Sequence, residues 1–190
     1  MDGYNIAVVG ATGAVGEVLI EILEERNFPI KNLYPLASEK SAGKTVMYKN
    51  KPVVVGNLAE FDFSLAQIGL FSAGGNISAE FAPKAAAAGC VVIDNTSHFR
   101  RDIDIPLVIP EVNPRKISEY SNRNIVANPN CSTIQMLLAL KPIHDAVGIK
   151  RVNVSTYQAV SGSGKAAVSE LAKQTAELLN GRDAECAVYP

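Results

Sequence analysis

The feature that most constrains this chain is a glycine-spaced turn, Gly10-Ala-Thr-Gly13-Ala-Val-Gly16, set between two segments of different period. Tyr4 to Val9 before it is a continuous apolar run rich in β-branched residues, which suits a central parallel strand. Glu17 to Glu25 after it carries Val18, Leu19, Ile22 and Leu23 at helical spacing. In a strand–turn–helix of this kind Gly10 permits the tight turn and Gly13 lets backbone approach a pyrophosphate. Gly16 lets the helix pack close to the strand. Gly10, Thr12, Gly13, Ala14, Val15 and Gly16 are therefore the expected cofactor contacts. A tight turn serving only the sheet is the alternative; its place between strand and helix, at the start of the chain, favours a dinucleotide.

The segments that follow alternate in the same way. Leu33 to Ala37, Ile68 to Phe71, Cys90 to Asp94 and Ile125 to Ala127 read as short buried strands, and Ser78 to Ala88 as a small-residue helix ended by Gly89. Val46 to Val55 reads as a hairpin turning at Asn50-Lys51, Pro106 to Glu111 as extended, and Pro114 to Asn122 as a short helical segment. This order predicts an α/β fold, a Rossmann-like doubly wound parallel sheet. Past it, Arg151 to Val160 alternates as a strand would, Ser161-Gly-Ser-Gly164-Lys165 forms a second glycine-rich turn, and Ala166 to Leu179 is an amphipathic helix. No GKS/T ending follows that turn, so a P-loop is excluded. We expect the division at Asn130: 1–129 as the nucleotide-binding domain and 130–190 as the beginning of an α/β catalytic and dimerisation domain.

Strand ends on one sheet edge are where such folds bind ligands. The second strand runs into Ser38-Glu-Lys-Ser41-Ala-Gly-Lys44, where an NAD site would usually place an acid against the ribose hydroxyls. Hydroxyls and Lys44 instead suit a 2′-phosphate, so Ser38, Ser41 and Lys44 point to NADP(H). Glu39 argues the other way, and a merely solvated loop is the bland alternative. Ser72-Ala-Gly-Gly75 is small enough for backbone to approach the cofactor. Within Asp94-Asn-Thr-Ser-His-Phe-Arg100-Arg101, Asn95 and Ser97 are candidates to bond the cofactor or a nearby loop. Arg100 or Arg101 offers a planar fork for carboxylate or phosphate, and a surface arginine bound to nothing is the competing reading.

Asn128-Pro-Asn-Cys131-Ser-Thr133 stands where a buried strand gives way to a helical pattern, Ile134 to His144. Cys131 is expected in the first helical turn, among N–H groups that favour a thiolate and an oxyanion beside it. The alternative is a buried cysteine acting as a small hydrophobe, the reading that suits Cys90.

Composition narrows the function classes. A net charge of −1 with no basic block gives no reason to expect nucleic-acid binding. Three cysteines, Cys90, Cys131 and Cys186, lie far apart in no metal-binding spacing. An odd count behind a start, Met1-Asp2-Gly3, without a signal peptide's basic region suggests reduced thiols in the cytoplasm. No apolar run approaches the length of a membrane span. We expect no metal.

The combination of stretches resembles aspartate-β-semialdehyde dehydrogenase. The stretches are Gly10 to Gly16, Ser38 to Lys44, Asp94 to Arg100, Pro110-Glu-Val-Asn113, Asn128 to Thr133 and Tyr157-Gln-Ala-Val-Ser-Gly162. The resemblance implies NADP-dependent reductive dephosphorylation of 4-phospho-L-aspartate to L-aspartate 4-semialdehyde through a cysteine thioester. This step leads to lysine, diaminopimelate, methionine and threonine. It implies Cys131 as nucleophile, Gln158 as the residue that orients substrate, Arg100 and Asn130 as the phosphate-binding pair, and Ser161-Gly162 as further cofactor contacts. A small-molecule substrate, inorganic phosphate and a homodimer of the full-length protein follow as partners. The family's acid/base histidine, a substrate-carboxylate arginine and further Glu and Lys residues are expected beyond position 190, since neither His98 nor His144 stands in the family's histidine motif. On that basis the chain is expected to be an N-terminal part, catalytically incomplete and of little or no activity. N-acetyl-glutamyl-phosphate reductase, which shares fold and chemistry, fits the cysteine motif less well. A non-catalytic nucleotide-binding fragment and a thiol-dependent hydrolase are the readings from other classes; the latter leaves the glycine turn without a purpose.

Overall fold

A computed structural model describes residues 3–188. Met1, Asp2, Tyr189 and Pro190 lie outside the described residues. Burial of alternate residues of the first strand on both faces sets the architecture. In β1 (Tyr4–Val9), Ile6 and Val8 join one apolar cluster, while Ala7 and Val9 join another. The first cluster is closed by Ile20 of α1 (Ala14–Glu25) and by Val46 and Tyr48 of a hairpin. The second is closed by Ala82, Ala85 and Ala86 of α2 (Gly75–Ala87), together with Phe63, Phe71 and Phe99. A strand covered on both faces reads as an unbroken apolar run, which is what Ile6 to Val9 show.

In chain order the remaining strands are β2 (Ile30–Ala37), β3 (Thr45–Tyr48), β4 (Lys51–Val54), β5 (Gly56–Asn57), β6 (Ile68–Phe71), β7 (Val91–Asp94) and β8 (Ile125–Ala127). Six of them form one parallel sheet in the order β5-β2-β1-β6-β7-β8, and β3 and β4 pair antiparallel as a separate hairpin. The order reverses direction beside β1, so the loops after β1 and β6 flank the crevice typical of a doubly wound sheet. Lys49 and Asn50, at φ 49° and 58°, turn the hairpin one residue earlier than expected. Leu107 adds a single parallel bridge to Ala127 at the outer edge.

Past β8 the chain forms α3 (Cys131–Val147), a seventeen-residue helix with Cys131 in its first turn, as expected, that ends at Gly148, φ +71°. The side chain of Asn130 caps it, accepting from Thr133 N–H at 3.1 Å. His144 serves the other end: its backbone carbonyl accepts from Gly148 N–H and its Nδ1 from Ile149 N–H.

Two expectations are corrected here. Arg151 to Val160 is no strand: no described strand pairs with it, and residues 151–159 are exposed, Tyr157 fully so. Alternation marks two-faced chemistry, but a strand also needs a partner for its N–H and C=O groups. The expectation that 130–190 holds only the beginning of a second domain is corrected as well. The chain closes as two compact units, Met1–Val152 and Asn153–Pro190. The second is organised on α4 (Lys165–Leu179), with its own hydrogen bonds holding the chain that follows. Glu170 accepts from Ala187 and Val188 N–H, and Gln174 donates to the Glu185 carbonyl at 2.8 Å.

Candidate active site

All six strands of the main sheet run the same way, so the loops after β1, β2, β6, β7 and β8 meet along one edge. Backbone bonds tie the loop after β1 to its neighbour strand. Gly10 N–H and Ala11 N–H both donate to the Leu36 carbonyl, at 2.9 and 3.1 Å, which ties the turn to the end of β2. Gly10 stands at φ +88°, and a Cβ there would lie 3.0 Å from the Ala73 backbone. A Cβ on Gly16 would lie 2.1 Å from the Gly10 carbonyl oxygen, so this position takes no other residue without moving the turn. α1 starts at Ala14, placing Ala14, Val15 and Gly16 inside the helix rather than in the turn. Its N-cap, Gly13, contributes no side-chain bond to the first-turn N–H groups. That leaves the helix start suited to a pyrophosphate.

After β2, Ser38 opens a 3-10 turn over Glu39–Ser41, and Lys44 Nζ donates to Ser41 Oγ at 3.5 Å. The structure thus brings Ser41 and Lys44 together; Ser38 is exposed beside them. After β6, the Ser72 hydroxyl donates to the Val9 carbonyl at 3.1 Å, holding this loop against the glycine turn.

The loops after β7 and β8 are joined by a polar network. Asp94 is fully buried, and its carboxylate accepts from the Ser78 hydroxyl at 2.8 Å, Thr96 N–H at 3.1 Å and the Thr96 hydroxyl at 2.9 Å. Three donors offset the cost of taking this group out of water. Arg100 is half-buried: Nε donates to the Asn128 carbonyl at 2.9 Å and Nη2 to the Asn95 carbonyl at 3.1 Å. Its other three N–H donors have no acceptor among the described residues. Arg101 is exposed and has no such anchoring. Between the two arginines, only Arg100 is aimed by the fold.

Cys131 is exposed at the first position of α3. Asn130 beside it caps the helix through Oδ1 and donates through Nδ2 to Ser132 Oγ at 3.1 Å. Cys90 lies buried in the core, and burial pushes its thiol up to about 11. His98 packs edge-on against Phe99, ring centroids 4.6 Å apart. Gln158, Ser161 and Gly162 belong to the Asn153–Pro190 unit, where Val160–Ser163 forms a 3-10 turn leading to Gly164, φ +90°, and α4. Among the described residues no group of three or more His, Cys, Asp or Glu is placed to hold a metal ion. None of the described helices is long and apolar enough to cross a membrane.

The family described as semialdehyde dehydrogenase, NAD binding domain, matches residues 5–120. The chain belongs to that family. A second description, semialdehyde dehydrogenase, dimerisation domain, matches residues 140–190. Among curated relatives, aspartate-semialdehyde dehydrogenase 2 of Vibrio cholerae is 66% identical over 96% of this chain and 54% of its own length. That of Shewanella violacea is 64% identical over 98% of this chain and 55% of its own. The crystal structure of aspartate semialdehyde dehydrogenase II complexed with ASA from Vibrio cholerae superposes with a TM-score of 0.96 at 63% identity, covering all of this chain and 56% of that one. The enzyme with NADP from Candida albicans gives 0.64 at 27% identity, over 77% of this chain and 48% of that one. The chain thus spans about half the length of the curated relatives it matches. A match to the dimerisation-domain description over residues 140–190 stands against the expectation that the catalytic region is merely begun. Both family descriptions are represented in the chain, which stands against the expectation of a catalytically incomplete chain.

Two members of the network in this semialdehyde dehydrogenase family site escape a reading of the sequence. Ser78, sixteen residues before Asp94, reads only as part of a small-residue helix; a carboxylate ending a buried strand is the signal that a donor must face it. Asn128 reads as part of the cysteine stretch, and nothing local marks it as the acceptor for Arg100.

Proposed function

We propose that the chain acts as an aspartate-semialdehyde dehydrogenase, converting 4-phospho-L-aspartate to L-aspartate 4-semialdehyde with NADPH, on the route to lysine, diaminopimelate, methionine and threonine. The observation that carries this is Cys131: an exposed thiol at the first position of a long helix, just past the carbonyl that holds Arg100. The sulfur adds to the acyl phosphate carbonyl, the oxygen charge is met by N–H groups of the helix start, and the C–O bond to phosphate breaks to leave a thioester. Arg100 and Asn130 bind the departing phosphate; Gln158 orients the substrate. NADPH, when bound, supplies the hydride that reduces the thioester. Release of the aldehyde restores the cysteine, and the cycle consumes one proton and yields inorganic phosphate.

The cofactor fits the residues present. Gly10, Thr12 and Gly13 of the turn and Ala14, Val15 and Gly16 of the helix start meet the pyrophosphate, Ser38, Ser41 and Lys44 receive the 2′-phosphate, and Ser72, Ser161 and Gly162 are the further contacts. NADP is accordingly expected to bind more tightly than NAD in a calorimetric titration; equal affinities would mean that Glu39 governs the site. We place the family's domain change at Asn130, between the matches over 5–120 and 140–190, while the compact units divide later, after Val152. The protein works as a cytoplasmic homodimer, in keeping with three free cysteines.

The deciding experiment is NADPH oxidation with 4-phospho-L-aspartate, alongside mass spectrometry of the Cys131 peptide. Turnover with an acyl adduct on Cys131 supports the proposal. An adduct on Cys90 or Cys186, or turnover only with a longer acyl phosphate, overturns it.

A further inference from the structure

The two asparagines at the ends of β7 and β8 form an arrangement that the proposed chemistry has not used. Asn128 Nδ2 donates to Asn95 Oδ1 at 2.7 Å, across thirty-three residues of chain. The backbone carbonyls of the same two residues are the acceptors for Arg100, at 2.9 Å and 3.1 Å. Each asparagine is also fixed through its own N–H: Asn95 donates to the Phe71 carbonyl at 2.9 Å, and Asn128 to the Asp94 carbonyl at 3.2 Å. The amide–amide bond therefore sets the spacing of the two carbonyls that orient one guanidinium.

We propose that Asn95 and Asn128 are a positioning pair, whose side-chain bond holds Arg100 at the turn into the Cys131 helix so that its remaining donors meet an anionic group at the thiol. This rests on the roles given above to Cys131 and Arg100. An arginine held only by its aliphatic stem samples many directions; one gripped by two carbonyls has its fork oriented before the ligand arrives. The buried Asp94 anchors the same arrangement, because Thr96 and Ser78 lock the strand end from which Asn95 projects. Cutting the amide–amide bond leaves Arg100 in the chain with its charge intact, but no longer aimed.

The test compares Cys131 alkylation by iodoacetate and by iodoacetamide, followed on the Cys131 peptide of the whole chain. Arg100→Leu sets the ratio of the two rates in the absence of the guanidinium. Asn95→Leu and Asn128→Leu, which keep asparagine's branching and remove its polar atoms, are each expected to lower the anionic-to-neutral ratio about three- to tenfold, toward the Arg100→Leu value. The double variant should be no worse than either single one, since the two act through one bond. If a leucine variant fails to fold, Asn95→Ser, too short to reach the Asn128 amide, carries the same expectation. A wild-type ratio in the single variants overturns the proposal, as does an Arg100→Leu ratio equal to wild type; a fall in thermal stability alone, with the ratio unchanged, reduces the pair to a loop staple. Turnover of 4-phospho-L-aspartate, measured on the same samples, keeps the two readings apart. A lowered ratio in the variants of a chain whose wild type does not turn over that substrate removes the proposed function and leaves the pair standing. Wild-type turnover with an unaltered ratio in the variants does the reverse.

Discussion

Two parallel strands in this chain run into helices that bear on function, and the two junctions are built from opposite materials. Between β1 and α1 the turn is built on glycines, and its N-cap, Gly13, has no side chain to bond the helix start. Between β8 and α3 the turn is dressed in side chains: Asn130 occupies one of the first N–H groups, Asn128 bonds to Asn95, and Cys131 is presented to solvent. A bare helix start offers its N–H groups to a ligand's phosphates. A dressed start has already used part of that capacity to hold its own shape, and in return it sets a reactive side chain in a defined position. On the proposed function, the same helix physics serves binding at one junction and chemistry at the other.

The contrast can be broken most severely at the thiol. Cys131→Ser is expected to reduce turnover to background, because a hydroxyl is a far weaker nucleophile than a thiolate, while NADP affinity measured by calorimetry stays near wild type. Parallel loss of cofactor binding would show that the two junctions are not separate devices. Gly16→Ala attacks the other junction. With a Cβ 2.1 Å from the Gly10 oxygen, the turn must shift, costing about 1–3 kcal/mol in denaturant unfolding and weakening NADP binding by roughly tenfold or more. Gly13→Ala, at 3.2 Å from the same oxygen, should be the milder change.

The two thiols give a pH test of exposed against buried. Cys90 ionises near 11 in the folded chain against 9.0 for a free thiol, because burial disfavours the thiolate. The unfolded chain therefore releases its proton first as pH rises. Cys90 contributes full stability below about pH 9, and that contribution declines as pH rises through 11, by at most about 3 kcal/mol. Unfolding curves of Cys90→Ala should lack this component, whereas Cys131→Ala should retain it. Arg100→Lys keeps charge and loses the fork, so kcat/KM for the acyl phosphate should fall about tenfold with cofactor affinity preserved. Unchanged kinetics would return the role to Arg101. The smallest effect is expected from Asn130→Ala, where loss of the α3 cap costs about 1 kcal/mol in stability, and any larger fall in turnover reports its separate role on phosphate.

What could be read from the residues alone was what is encoded within one or two turns of chain. The apolar run of β1, the glycine spacing, the small-residue helix α2 and the polar start of α3 each carry their own local signature, and the order of these elements implied the doubly wound sheet. Arg151 to Val160 shows the limit of such signatures, since its alternation is real and its strand is not: pairing depends on a partner that no local pattern reports. The preference for Arg100 over its neighbour, the Ser78 hydroxyl on Asp94 and the amide bond between Asn95 and Asn128 were decided by tertiary structure. Those contacts join residues 28, 16 and 33 positions apart. They exist because parallel strands separated by crossovers bring their ends to one edge, where buried polar groups must find each other or remain unsatisfied.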